Sequence, residues 1–554
     1  MRPPASAPWL WSIAVDGVAT ATITSDAIKE AAAAALVAAG LNADDYKTEV
    51  KAEENKAEDS TIDADIAIVG AGGAGMPAAI TAAAEGKSVV ILESQPMVGG
   101  NSVRATGGMN AGKTVWQDEN TFAEEAGVEK TLASAAETYA DDETVTALAQ
   151  TVSEQWKAYQ ENPEGYFDSV ELMELDTMIG GKAINDFDLV KALCENSASA
   201  IDWLDTIGAE LHDVASFGGA SVKRIHRPVD AEGKTISVGS YIVPVLESAC
   251  QERGIEILFN TTATALRQDE NGNVTGVEGV TKDGANVIVE AKAVVLATGG
   301  FGANLEMVAS YKPELEGFMT TNAAGAQGQG IAMAQAVGAA TVDMDQIQIH
   351  PTVQFDTAAL ITEGLRGDGA ILVNAEGKRF TDEVGTRDVV SAAEIAQTGS
   401  YSWLVVDQAM VDASSVIAGY ITKGLTVTGE DYAALAEAMG VDAEAFTATM
   451  EAWNACVESK TDEEFGRTSF ANPLDTAPYY AIKVTAGIHH TMGGLKINTA
   501  TEVLNEAGEA IPGLFAAGEV TGGVHGANRL GGNAVADFIV FGRIAGSSAA
   551  EYAK

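Results

Sequence analysis

Three features of the sequence predict an α/β fold. A buried-strand run, Asp65-Ile66-Ala67-Ile68-Val69, leads straight into Gly70-Ala71-Gly72-Gly73-Ala74-Gly75, the spacing G-x-G-x-x-G. An Ala-rich helical stretch and a second strand, Ser88-Val89-Val90-Ile91-Leu92, follow and end on an acid, Glu93. Far along the chain, Ala293–Thr298 and Gly513–Ala517 are further strand runs that end in glycine turns. Strand, glycine turn, helix and strand in this order form the βαβ unit of a parallel, Rossmann-like sheet.

Each part of that unit has a physical reason. Gly70 permits the tight turn, Gly72 lets backbone approach a pyrophosphate, and Gly75 allows helix and strand to pack closely. The following helix offers free amides and a positive dipole end to an anion. Glu93 stands where an acid bonds ribose hydroxyls. A second glycine-rich stretch follows soon after it, Pro96–Ser102 and Thr106–Asn110. Such a stretch suits a ligand longer than NAD in this position, with a flavin end running past the turn. Three distant strand-to-glycine turns then read as one extended ligand crossing one sheet.

Length and composition bound the rest. At 554 residues the chain has room for several domain-sized units, at ~150 residues each, and for a large core. It carries 33 Lys+Arg against 79 Asp+Glu, a net charge of −46, which excludes the basic footprint of a nucleic-acid binder and docking on an anionic membrane. An anionic ligand must therefore be held by individual Arg and His side chains. Cys194, Cys250 and Cys456 are odd in number and far apart, so no disulfide framework, CxxC zinc site or CxxCH haem attachment exists. No apolar run is long enough to predict a membrane span, and no internal repeat is present. Residues 21–40 read as a helix capped near Ser25 or Asp26, and 43–60 as a charged linker. The short apolar piece within Met1–Val15 is a weak export signal. Low Cys usage favours a cytoplasmic location, with an extracytoplasmic one open should the natural N-terminus extend further.

The motifs GGNSVRATGGMNAG, ATGGFGAN, IHPT, ITEGLRGDGAILVN, GTRD, HHTMGGL and FAAGEVTGGVHGANRLGGNA cover most of 62–554. On these the sequence resembles the flavoprotein subunits of fumarate reductase and succinate dehydrogenase. The likeness is greatest to soluble flavocytochrome c-type fumarate reductases, whose scaffold urocanate reductases share. The resemblance implies a Rossmann-like FAD-binding domain with an inserted α+β capping domain. Its FAD domain would occupy 62–344 and 491–554, its cap 345–490, with 1–61 as an N-terminal extension. It places FAD contacts at Gly70, Gly72, Ala74, Gly75, Glu93, Asn101, Ser102, Gly107, Gly108, Ala263, Gln329, His490, Glu519, Ala534 and Val535. Membrane-bound members tether FAD through a His where this chain has Asn101-Ser102, so non-covalent FAD is expected. Gln327-Gly328-Gln329-Gly330 departs from the usual Thr-Gly-Asp-Gly, which bears on flavin affinity or redox tuning.

Reducing an alkene between two carboxylates needs groups to hold both carboxylates and a proton donor on the face away from the flavin. By resemblance, His350, Thr362, His489 and Arg529 bind the dicarboxylate, with Gly532 beside it. Arg387 matches the proton donor, and Glu363 and Arg366 match the relay that returns its proton. Residue chemistry alone leaves Arg387 open between donor and bidentate carboxylate clamp, because a guanidinium rarely yields a proton. His212 and His226 read as structural histidines, His525 as structural or near the flavin, and Arg224 and Arg227 in KRIHRP as a solvated face. Keeping His350 and Thr362 favours a diacid, hence fumarate to succinate. The alternatives are another 2-enoate, such as urocanate or a cinnamate, and a flavin electron carrier without turnover. Electrons must come from an external flavin, quinol or cytochrome protein. Ala19–Ser25 resembles the end of an FMN-binding domain, with Thr24 at its attachment position. Most of that domain is missing, so FMN is not expected.

Overall fold

The computed structural model describes residues 33–34, 36–37, 42, 58–217 and 219–554. The expected export signal, the Thr24 position and most of the charged tract lie outside them. Of the helix expected over 21–40, Ala33, Ala34, Leu36 and Val37 are described, and they are helical. By contacts the chain divides into Met1–Glu58 and Asp59–Lys554. Everything below concerns the second unit.

Its first sheet has eight strands. Ser60–Val69 lies between Val89–Leu92 and Asn286–Leu296, parallel to both. Ala510–Ala516 adds parallel on the far side of Asn286–Leu296, and Glu256–Leu258 beyond Val89–Leu92. Ile66 to Val69 are all buried, as a strand covered on both faces must be. The first strand begins at Ser60, ahead of the 61/62 boundary expected from sequence. The cause is its long partner, since Ser60 and Thr61 already pair with Val287 and Ile288.

The helix Gly75–Ala84 packs on this sheet as the glycine spacing requires. A Cβ on Gly75 would lie 1.9 Å from the Gly70 carbonyl oxygen and 3.3 Å from the Ala297 Cβ. Gly70 itself has φ +106°, a left-handed conformation that costs glycine little. The C-terminal helix Asn533–Tyr552 lies against the same helix and the sheet, and both join one large apolar core.

A second sheet of five strands draws all of them from 347–491. Its long strand Tyr479–Thr491 pairs antiparallel with Ile347–Gln354, Ser402–Asp407 and Val427–Gly429, and Ile371–Val373 adds outside Ser402–Asp407. A separate apolar core, with Trp403, Leu404, Phe446 and Trp453, sits behind it. Helices between Glu125 and Thr206 bury a third cluster around Trp156, Phe167 and Met173. Among the described residues, no helix is long and apolar enough to cross a membrane.

Candidate active site

Parallel strands leave ligands to bind at their carboxyl ends. Here Val69, Leu92, Leu296 and Ala516 end four parallel neighbours at one edge. The turns that follow them, at Gly70–Gly75, Glu93, Gly299–Gly300 and Gly518, therefore meet along that edge. They open into one cavity of about 1280 Å³, larger than the ~300–1,000 Å³ of an ordinary ligand pocket. Gly72 faces open space, its nearest would-be Cβ neighbour being Ser102 Oγ at 4.0 Å. The helix from Gly75 has no acid in its first turn, so its dipole end stays available to phosphate. Glu93 accepts the amides of Ala71 and Gln95, both at 2.8 Å, which fixes its carboxylate at the mouth of the turn. Ser102 Oγ accepts the amide of Gly73 at 3.0 Å, and Asn101 is held by Asn322 and Ala323. An open glycine turn, a free helix end and a fixed acid fit the dinucleotide part of FAD.

The second sheet brings the other half. Register sets Gln348 opposite His490 and His350 opposite Gly487. The rings of His350 and His489 are 5.0 Å apart. Arg387 opens the helix Arg387–Ile395, Glu363 precedes the short turn Gly364–Gly367 that carries Arg366, and Arg529 and Gly532 lie on the loop before Asn533. Glu363 joins two of the guanidiniums. Its Oε2 accepts Arg387 Nε at 3.0 Å and Nη2 at 2.6 Å, and its Oε1 accepts Arg366 Nη2 at 2.9 Å. Arg529 is 4% exposed and donates Nη1 to the Leu530 carbonyl at 3.0 Å; its Nε has no partner. Among the described residues it has no ion pair.

Burial governs the electrostatics. It pushes His350 and His489 well below the ordinary imidazole value, and Arg387 and Arg529 push the same way. Both rings are thus neutral without an anion nearby. His350 Nδ1 accepts the Thr352 amide at 3.1 Å, so the neutral ring carries its hydrogen on Nε2. Glu363 is also fully buried, which raises it, but Arg387 and Arg366 outweigh that and hold it below the usual carboxylate value. Burial and the neighbouring Arg387 hold Arg529 well below the ordinary guanidinium value. Glu519 is raised to about 7 by burial.

The cavity is lined by Gly70, Gly72, Ala74, Glu93, Asn101, Ser102, Gly107, Gly108, Ala263, Gln329, His490, Glu519, Ala534 and Val535. It is lined as well by His350, Thr362, Glu363, Arg387, His489, Arg529 and Gly532. Gly75 and Arg366 stand behind the wall, one under the turn and the other behind Glu363. One residue had no motif to reveal it. Gln348 accepts Arg387 Nη1 at 3.0 Å and donates to Asn528 Oδ1 at 2.6 Å and to the Arg529 carbonyl at 2.7 Å. A single side-chain amide thus ties the Arg387 helix to the Arg529 loop.

The KRIHRP expectation is overturned. Arg224 is fully buried, bound by Asp168 at 2.6 Å and Asp176 at 2.7 Å, and Arg227 is tied to Asp213 and Asp368. Carboxylates distant in sequence converge on both, so neither forms a solvated face. His212 stacks on Trp116 and pairs with Asp205, and burial pushes the enclosed His226 down to about 4. His525 pairs with Asp537 at 2.9 Å.

A dinucleotide cradle at the strand ends, joined to a chamber of guanidiniums and imidazoles, defines an FAD-dependent oxidoreductase. A family model described as an FAD binding domain matches residues 65–166 and 156–535. A fumarate reductase (cytochrome) of Shewanella frigidimarina is 42% identical over 510 residues, 92% of this chain and 80% of its own length. An NADH:fumarate oxidoreductase of Klebsiella pneumoniae (strain 342) is 40% identical over 541 residues, 98% of this chain, which spans only 52% of that relative. A urocanate reductase of Eggerthella lenta is 35% identical over 552 residues, 97% of this chain and 83% of its own length. Among solved structures, the open conformation of a flavocytochrome c3 fumarate reductase superposes with a TM-score of 0.67 at 37% identity, covering 92% of this chain and 83% of that one. The chain belongs to the fumarate reductase/succinate dehydrogenase family of FAD-binding flavoproteins.

Proposed function

We propose that the chain reduces fumarate to succinate. The observation that carries this reading is Arg529, a buried guanidinium without an anionic partner, facing the same chamber as the neutral His350 and His489. A buried charge is expensive to leave unpaired, so the site calls for a small anion. Thr362, His350 and His489 line the same chamber and can hold a second carboxylate, which calls for a diacid.

Bound FAD, once reduced, supplies a hydride from N5 to one alkene carbon. The side chains do the rest. Arg529 grips one carboxylate, and Thr362, His350 and His489 hold the other, with His350 donating from Nε2. This polarises the alkene so that hydride adds to one carbon while Arg387 protonates the next. Because a guanidinium yields a proton reluctantly, the transfer is concerted with hydride addition and reversed at once through Glu363. That carboxylate already accepts two Arg387 hydrogens. Arg366 supplies the proton that Glu363 passes on, so the carboxylate ends as it began. Gln348 keeps Arg387 aimed into the chamber. The cap over the site is assigned to 345–490, and FAD is held without a covalent bond, since Asn101 and Ser102 are already engaged in neutral hydrogen bonds. Electrons arrive from a flavin, quinol or cytochrome donor, on a separate protein or in a longer polypeptide.

The test is turnover of a panel of enoates by the FAD-loaded protein with reduced viologen. Fumarate is expected to be reduced fastest. Preference for urocanate, acrylate or a cinnamate would move the substrate to another enoate, and a flavin reoxidised by none of them would mark an electron carrier. Arg387→Ala should abolish fumarate reduction with FAD retained; near-normal turnover would remove Arg387 from the proton transfer.

A further inference from the structure

The relay that ends at Arg366 needs a source of protons, since each turnover consumes one. Behind Arg366 lies a set of buried polar groups that the reaction described so far does not use. Glu394 and Ser391 are both fully buried on the helix Arg387–Ile395. They stand seven and four residues after Arg387, hence on its face of the helix. Ser402, on the next strand, donates to Glu394 Oε1 at 2.5 Å. Glu394 Oε2, Ser391 Oγ and Arg366 Nε each lack a partner. Buried polar atoms left unpaired are rare, and polar atoms with unmet hydrogen bonds are the surroundings in which proteins hold internal water. The chain just after Glu394 comes to the surface, where Ile395, Ala396 and Thr398–Ser400 are exposed. The polar groups therefore run from an exposed stretch, through Glu394 and Arg366, to Glu363 and Arg387 at the cavity.

We infer that Glu394 is the proton reservoir of this site, the buried carboxyl that recharges Arg366 after each turnover. Arg387 gives one proton to the substrate carbon; the Glu363 carboxylate takes a proton from Arg366 Nη2 and passes it to Arg387. Arg366 is left a neutral guanidine. Glu394 returns that proton through water and becomes a carboxylate, which bulk water reprotonates from the 395–400 side. One proton enters from solvent per enoate reduced, and no electrons move along this path. Burial raises the Glu394 carboxyl to about 8, against the pull of Ser402 and Arg366, so it holds its proton at neutral pH. Burial likewise lowers Arg366, which eases its transient loss of a proton. Arg366 is the charged group that acts on Glu394. The strands packed on this helix bring His350, His489, His490 and Lys483, none of which is paired with it. Glu394 touches no reacting atom and works through Arg366.

The inference rests on the enoate-reductase reading. Wild-type turnover of fumarate separates the two: without it that reading fails, whereas normal wild-type turnover with an unaffected Glu394 variant overturns only the reservoir. In FAD-loaded protein, the wild-type kcat should fall as pH rises through about 8, where Glu394 loses its proton. Glu394→Gln should lower kcat below that pH roughly tenfold, less than the ~10²–10⁴ of a group that protonates substrate itself, and abolish that limb with KM unchanged. Glu394→Leu should do the same without loss of thermal stability, which covers a poorly folded Gln variant. Glu394→Asp, which keeps a carboxyl, should recover part of kcat and the limb. A pH profile unchanged in both the Gln and Leu variants, or kcat and KM shifting together with the profile intact, overturns the inference.

Discussion

Replacing Arg529 by Met should move stability and ligand binding in opposite directions. Arg529 is buried, with one hydrogen bond to a backbone carbonyl, an unpartnered Nε and no ion pair among the described residues. Exchanging even a buried ion pair for apolar side chains of similar volume is neutral or stabilising by ~1–4 kcal/mol, and a buried charge without its partner is costlier to keep. Arg529→Met holoprotein without ligand should therefore melt no lower than wild type. A diacid loses far more. Two charge-assisted hydrogen bonds from one guanidinium contribute ~1.5–3 kcal/mol each, partly offset by desolvation. A net loss of about 3 kcal/mol raises Kd by a factor on the order of 100. Succinate at ~100 times the wild-type Kd stabilises wild type by ~2.7 kcal/mol, and the same concentration would stabilise the variant by only about 0.4 kcal/mol. Thermal scans of both holoproteins with and without succinate read all four states. A variant that melts lower without ligand yet keeps the full succinate shift would refute the reasoning, because Arg529 would then be a structural cation.

Binding should also be linked to protons. His350 and His489 are held well below the ordinary imidazole value by burial and nearby guanidiniums. An added dianion raises them, so affinity for succinate should strengthen as pH falls, and the complex should take up protons as it forms at acidic pH. Calorimetry in two buffers of different ionisation enthalpy measures this, and proton release or no exchange would count against diacid binding by these rings. The glycine turn makes a paired prediction. Gly75→Ala puts a Cβ 1.9 Å from the Gly70 carbonyl oxygen and should spoil the fold and the FAD content together. In Gly72→Ala the new Cβ is 4.0 Å from its nearest neighbour, so the protein should fold with normal circular dichroism but a low flavin-to-protein absorbance ratio. Equal FAD content in the two variants would contradict the separate roles.

What could be read in advance was whatever local spacing encodes. The run Asp65–Gly75 carries strand burial, turn and helix start within eleven residues, so the first βαβ unit and its ligand edge were legible. The turns after Leu296 and Ala516 were legible for the same reason, and the parallel order of their strands joins them to that edge. Pairings that only folding creates were not. Arg224 meets Asp168 and Asp176 across 56 and 48 residues, and nothing near KRIHRP announces carboxylates so far away. Gln348 looks like any polar strand residue until the register sets it beside the Arg529 loop. Ser60 and Thr61 read as linker because their strand character comes from Asn286–Leu296.

On the proposed reading, the chamber's charge also bears on which enoate is preferred. Around Arg387, the chamber wall and the layer behind it hold the guanidiniums of Arg366, Arg387 and Arg529 against the carboxylate Glu363; Glu519, raised to about 7, and Asp537, paired with His525, line the cavity too. Burial keeps His350 and His489 neutral. Within the group Arg366, Glu363, Arg387 and Arg529, three positive charges and one negative leave two in excess, buried where water screens little. A dianion cancels that excess, whereas a monocarboxylate such as acrylate, urocanate or a cinnamate leaves one cation unbalanced. The surrounding molecule is strongly negative, at −46, yet at physiological salt exposed charges beyond ~8 Å are largely screened. The local excess therefore sets affinity inside the chamber, and the overall charge slows the approach of any anion to its mouth. Raising ionic strength should accordingly speed diacid association while leaving the preference for diacid over monoacid nearly unchanged. If salt erased that preference, the selectivity would belong to the outer surface instead of the buried guanidiniums.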